Sequence, residues 1–351
     1  MTGGSRTKVH IVALTPAGAA LGHRLAERLG GAILWLPAKF TPDFPTAQTM
    51  ATLKDVFREA FQTKKPLVGI MATGIVVRQL APFLRGKDRD PAVVVLDEQG
   101  QFAISLLSGH LGGANDLART VADLVGATAV ITTATDAHGL PALDTIAVRL
   151  GLSIENLSAV KAIHLALLQG QKVRVVDPLG FLREELAGWP ELFEARPEAP
   201  ESFCQPGPGV YVGCRDYPWP EGWLRLRPKI MVAGMGCNRG ASQVEILDLF
   251  EKTLKQFHLS PLCLHTLATI SAKRDEAGLK AAAEHLGVRF IWFSKEELQH
   301  LPVPNPSAVV QRHLGVASVC EAAALKAAKG GTLLVPKQKS TNVTLAVAQV
   351  G

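Results

Sequence analysis

The sequence predicts an α/β protein: mainly parallel sheets with helices on both faces, in N-terminal and C-terminal α/β domains joined by a middle region. Three observations predict it. Over residues 1–142, short β-rich runs alternate with helical patterns, as parallel strands with crossover helices require. Over residues 143–227 that periodicity weakens while Pro190, Pro197, Pro200, Pro206, Pro208, Pro218 and Pro220 accumulate, which marks loops or a linker with short strands. Over residues 228–351 a fresh β/α series follows Pro228.

In the first domain, Val9 to Leu14 reads as a strand, closed by the turn Thr15-Pro16-Ala17-Gly18 and followed by a helix to Leu29. Ala32 to Leu36 is the second strand. Leu53, Val56, Phe57 and Ala60 recur at helical spacing within Met50 to Phe61. Pro66 to Met71 is a third strand and Ile75 to Leu84 a helix. Ala92 to Leu96 and Phe102 to Leu106, joined by Asp97-Glu98-Gln99-Gly100, form a hairpin and give the sheet one antiparallel edge. A helix from Asn115 to Val125 and a strand from Thr128 to Thr132 complete the unit. The middle region offers a helix near Leu157 to Leu168 and a strand from Lys172 to Val176. In the third region Ile230 to Ala233, His265 to Ser271, Val288 to Phe293 and Thr332 to Val335 read as strands. Gly234 to Gly240 reads as a turn, and Ser242 to Phe257, Asp275 to Leu286 and Val319 to Ala328 as helices. No internal repeat is visible.

Composition narrows the function classes. The chain has 351 residues, more than one typical domain, and its 47% hydrophobic against 19% charged content is that of a globular protein. No apolar run reaches the ~18 residues of a membrane span. After Arg6 and Lys8 the apolar stretch is only strand-length, so no signal peptide or anchor is read and a cytoplasmic location is expected. Cys204, Cys214, Cys237, Cys263 and Cys320 show no C-x-x-C spacing, which argues against a zinc site or disulfide framework. The net charge of +6 suits a polyanion. Basic residues are dispersed and tyrosines few, so no stripe for stacking single strands is present, and a small polycarboxylate fits at least as well as nucleic acid.

Five motifs carry candidate chemistry. GMGCNRG (Gly234, Gly236, Gly240) precedes a helix, so its amides and Arg239 can hold an anion; packing glycines in a tight turn are the equal alternative. Its G-x-G-x-x-x-G spacing, with no acid after the next strand, fits a dinucleotide poorly. SGHLGGAND places His110 among Ser108, Gly109, Gly112, Gly113 and Asn115, as a general base or as a shaper of the turn. MATGIVVR offers Thr73 as a helix cap, with Gly74 and Arg78. TTATDAHGLPALD offers Asp136 and His138 after a strand. Asp97 and Glu98 supply carboxylates, though a solvated hairpin tip is the commoner role. Ser271 and Lys273 follow a strand in SAKRDE. Glu321 opens a helix, where capping is the stronger reading. Thr73, Ser108, Asp136 and Gly236 all follow strands, so within each domain they are expected to line one rim.

Together, MATGIVVRQLAPFL, DPAVVVLDEQGQFAISLLSGHLGGANDLA, VITTATDA, VAGMGCNRGAS, LATISAKRDEAGL and SVCEAAAL resemble the cobalt-precorrin-5A hydrolase family of anaerobic cobalamin biosynthesis. The likeness spans most of the chain outside residues 145–225. It departs at Asn238-Arg239, where the family carries two basic residues. The resemblance implies a hydrolase that uses water and no added cofactor, cobalt being carried by the tetrapyrrole. Water opens the δ-lactone between the ring A acetate and C20, and C20 leaves with its methyl as acetaldehyde. His110 is the base the resemblance points to, with Asp97, Glu98 and Asp136 as rivals. Amides near Gly109 and Gly113 would hold the oxyanion, and Arg78, Arg239 and Lys273 the carboxylates. A homo-oligomer or transient contact with other pathway enzymes stays open. So do a non-catalytic corrinoid carrier and, as the weaker rival, an NAD(P)-dependent oxidoreductase.

Overall fold

A computed structural model describes residues 8–86, 89–198 and 207–351. Arg6, Pro200, Pro206 and Cys204 lie outside the described residues. The chain divides into two units, Met1–Ile146 and Ala147–Gly351.

In the first unit the strands are β1 (His10–Ala13), β2 (Ile33–Leu36), β3 (Gln48–Thr49), β4 (Leu67–Ile70), β5 (Val93–Leu96), β6 (Phe102–Leu107) and β7 (Thr128–Val130). They form one seven-stranded sheet in the order β3-β2-β1-β4-β5-β6-β7. Helices α1 (Pro16–Leu29), α2 (Leu53–Thr63), α3 (Thr73–Leu80) and α4 (Ala114–Val125) cover it. Alternation along the strands sorts them by face. Ile11, Ala13, Val68, Ile70, Val94 and Leu96 pack on α1 and α4, while Val12, Leu67, Val93 and Val95 pack on α2 and α3. The first helix starts earlier than the sequence reading placed it. Thr15 caps it by accepting from the Gly18 amide, and Pro16 occupies its first turn, where a missing N–H costs nothing.

β1 to β5 are parallel, β6 runs antiparallel to β5, and β7 runs with β6. The reversal therefore involves two strands and not a single edge strand. This decides where the motifs lie: the carboxyl ends of β6 and β7 are on the opposite edge of the sheet from those of β1, β4 and β5.

The second unit holds two sheets. The middle region forms one of its own, from β8 (Ser153–Ile154), β9 (Val173–Val176), β10 (Phe193–Ala195), β11 (Gly209–Val212) and β12 (Trp223–Arg227), with α7 (Leu157–Leu168) preceding β9. The short helices α5 (Ala134–Ala137) and α6 (Leu143–Arg149) come before it. Its order is β10-β9-β11-β12-β8, parallel except for β8. The region read as loops or a linker with short strands is a sheet of its own, because the short strands pair and the prolines lie between them. Burial of the aromatic cluster Tyr211, Trp219 and Trp223 drives it, and the fully buried Arg227 is held by Glu155 and the Gly213 and Arg215 carbonyls.

The last sheet comprises β13 (Met231–Cys237), β14 (Leu264–Ile270), β15 (Arg289–Phe293), β16 (Thr332–Lys339) and β17 (Val343–Gln349), in the order β15-β14-β13-β17-β16. Its helices are α8 (Gln243–Gln256), α9 (Ala277–His285), α10 (Lys295–Leu298), α11 (Ala308–Leu314) and α12 (Val319–Ala327). β13, β14 and β15 are parallel, whereas β17 pairs antiparallel with both β13 and β16. α8 and α9 cover one face and α12 the other.

Candidate functional site

The sequence-predicted residues of the first unit separate onto two edges of its sheet. Thr73, Asp97 and Glu98 follow β4 and β5. With Thr15 and Met71 they line a cavity of about 440 Å3 at the switch in strand order between β1 and β4. Asp97 is committed to the hairpin, its carboxylate accepting from the Gln99, Gln101 and Phe102 amides. Glu98 accepts from the Thr15 hydroxyl at 2.8 Å. Thr73 is the first helical residue and not the cap, Gly74 is helical, and Arg78 turns back to the Gly74 carbonyl at 2.9 Å.

Ser108, Gly109, His110, Gly112, Gly113, Asn115 and Asp136 lie at the other edge, because β6 returns toward the start of β5. The Ser108 hydroxyl donates to the Asp90 carbonyl, just before β5, at 2.9 Å. β5 alone, four residues long, holds the two edges more than ~10 Å apart at about 3.3 Å per residue. Asp97 and Glu98 are therefore not partners of His110.

At this edge the side chains converge. Asp136 Oδ2 lies 3.1 Å from His110 Nε2, and the Thr135 hydroxyl is also 3.1 Å from that nitrogen. Asp136 further accepts from Asn115 Nδ2 at 2.9 Å, from the Thr133 hydroxyl, and from Arg119 Nη2 at 2.5 Å. Burial alone would push the Asp136 carboxyl up. Hydrogen bonds from Thr133, His110 and Arg119, with the Arg119 charge, outweigh that and hold it below the usual carboxylate range. On the other side of the ring, Asp144 Oδ2 is 3.7 Å from His110 Nδ1. An imidazole thus lies between a carboxylate held ionised and a second, buried one.

The glycines make this turn possible. A Cβ at Gly109 would meet Asn115 Oδ1 at 2.7 Å, and one at Gly112 would meet Ser108 Cβ at 2.3 Å. Gly113 has φ +83 and caps α4. The Gly113 amide donates to the His110 carbonyl at 2.9 Å, so it is committed inside the turn and is not an oxyanion donor.

In the second unit, Gly234 and Gly236 are within β13 and not in a turn. A Cβ at Gly234 would fall 1.9 Å from the Cys320 carbonyl oxygen, so this glycine serves the close approach of α12. The start of α8 is closed from within. Ser242 and Glu245 form a capping box, and Glu276 accepts from the Gly240 amide at 3.0 Å and from Lys273 Nζ at 3.0 Å. That closure removes the pyrophosphate position a dinucleotide would need. Glu321 is fully buried and accepts from the Asn305 and Lys337 amides and from Asn305 Nδ2, which makes it a tie between loop, helix and strand. Ser271 opens a short 3-10 turn after β14.

What the structure does assemble here is a cavity of about 410 Å3 between the end of β13, the start of α12 and the β16–β17 turn. Arg239 and Lys273 line it, as do Lys337, Lys339 and His313, which sequence reasoning missed. Lys337 and Lys339 carried a usable signal: two lysines two apart on a strand share a face. Asp144 and Arg119 were missed because only the fold brings them to Asp136 and His110.

The first unit is thus a doubly wound α/β unit with a carboxylate-held histidine, and the second holds a cavity lined by basic side chains. Comparison with known proteins narrows this. The chain matches the families described as "Cobalamin synthesis G N-terminal" over residues 55–136, "Cobalamin biosynthesis central region" over residues 141–228 and "Cobalamin synthesis G C-terminus" over residues 231–348. It is 32% identical to the cobalt-precorrin-5A hydrolase of Priestia megaterium, over 97% of this chain and 94% of that protein. It is 35% identical to the cobalt-precorrin-5A hydrolase of Salmonella typhimurium, over 97% of both. A Sinorhizobium protein named CobE is 31% identical over 34% of this chain and 79% of its own. The chain belongs to the cobalamin synthesis G family.

Proposed function

We propose that the chain is a cobalt-precorrin-5A hydrolase, which opens the ring A δ-lactone with water and releases C20 as acetaldehyde. The observation that carries this is the match to two proteins of that name over 97% of the chain, through all three family regions.

The contacts around His110 support an acid–base role for it. In this scheme the Nε2–H tautomer of His110 donates to Asp136, 3.1 Å away, which directs the proton-accepting lone pair to Nδ1. His110 takes a proton from water as it attacks the lactone carbonyl. Asp136, and Asp144 near Nδ1, stabilise the imidazolium that forms. The Gly109 amide is the oxyanion donor in this scheme. Removal of the proton from the freed C20 hydroxyl then lets the C–C bond break, with the cobalt macrocycle accepting the electrons. The protein supplies no cofactor, the substrate carries the metal, and the reaction takes place in the cytoplasm.

The test is acetaldehyde released from cobalt-precorrin-5A by the purified protein. One equivalent per ring is expected, and absence of aldehyde with substrate intact overturns the reading. Binding without turnover would instead favour a non-catalytic carrier.

A further inference from the structure

Resting on that reading of the substrate, we infer that the cavity in the second unit holds one edge of the macrocycle by its free carboxylates, and discriminates against a ring whose side chains are amidated. Its basic side chains come from separate elements: Arg239 after β13, Lys273 after β14, His313 from α11, and Lys337 and Lys339 on β16. No carboxylate is among the described residues that line it. Lys273 is paired with Glu276 and Lys337 with the Asn305 carbonyl. Among the described residues, the Lys339 and His313 side chains make no hydrogen bond or ion pair, and both are exposed.

Beneath the cations the lining is apolar, from Leu314, Val319 and Val343. The start of α12, at Ser318 and Val319, also opens into the cavity and adds the positive end of a helix. An apolar floor under a cationic rim complements a flat ring with greasy faces and an anionic periphery. At about 410 Å3 the cavity lies at the small end of the roughly 300–1,000 Å3 that holds a drug-sized ligand. It therefore takes an edge of a macrocycle and not the whole.

Carboxylates engage lysine and arginine through charge-assisted hydrogen bonds, whereas a primary amide brings no charge and offers one carbonyl acceptor in place of two carboxylate oxygens. The site thus reads the ionisation of the ring edge.

Two probes test this on the full-length protein by absorbance titration: an octacarboxylate porphyrin, and the same porphyrin with its carboxylates amidated. The acid form is expected to bind at least about tenfold more tightly. The double variant R239Q/K339Q, both positions exposed and its fold checked by circular dichroism, is expected to bind the acid form about as weakly as wild type binds the amide. Lys339→Arg is expected to retain binding. The inference is overturned if wild type fails to bind the acid porphyrin, if it binds both forms alike, or if the double variant binds like wild type. Acetaldehyde release separates the two proposals. Turnover with binding indifferent to the variants removes the cavity's role and leaves the hydrolase, and cavity-dependent binding without turnover does the reverse.

Discussion

The chemistry proposed for the first unit turns on two side chains with different tasks. His110→Asn keeps a polar group of similar size but no base. It should lower acetaldehyde release by about 10²–10⁴-fold with an unchanged circular dichroism spectrum, and near-normal turnover would remove His110 from the mechanism. Asp136 has a second measurable consequence. Its carboxyl is held below the usual range in the folded chain, so the folded state binds this proton less readily than the unfolded one. The group therefore stabilises above the unfolded carboxylate value, near pH 4, and that contribution fades as pH falls through the lower folded value. Urea melts between pH 5 and pH 2 should show this loss for wild type and a flatter profile for Asp136→Asn. The turn at His110 was legible because its glycines signal a forced backbone, and Gly109 and Gly112 do fill a space that admits no Cβ. The second carboxylate, Asp144, was in view in the sequence but could be paired with His110 only by the fold.

At the level of elements, the hairpin β5–β6 and the strand β13 decided most of what changed. Reversal at Asp97–Gly100 sends SGHLGGAND to the far edge of the sheet, which splits the four candidate motifs of the first unit into two groups. The hairpin itself was legible, but its effect on which strand ends share an edge needs the strand order. Gly234 looked like an anion-binding turn because glycine is equally at home in turns and at close helix–strand contacts. Gly234→Ala should destabilise the protein by roughly 1–3 kcal/mol through overpacking against the Cys320 carbonyl, lowering the melting temperature by several degrees. A melting temperature equal to that of wild type would mean that β13 and α12 are less closely packed than described. Glu321→Gln should cost a similar ~1–3 kcal/mol, since an amide cannot accept from Asn305 and Lys337 as the carboxylate does. Equilibrium denaturation measures both.

For the whole molecule, two units with separate cores predict unfolding that is not a single transition. Gly234→Ala should move only the transition of the second unit and Asp136→Asn only that of the first; a single transition displaced by either would contradict the division. By itself the sequence determined the α/β class, the alternation of its outer regions, the family and the Gly-framed histidine. Each of these is written in local spacing and local composition, and backbone geometry responds to those directly. The tertiary structure decided the middle sheet, the opposite edges of the first unit, the carboxylates around His110 and the cations gathered from four elements around one cavity. These depend on strand order and strand direction, which set the distance between residues remote in the chain and which no local pattern encodes.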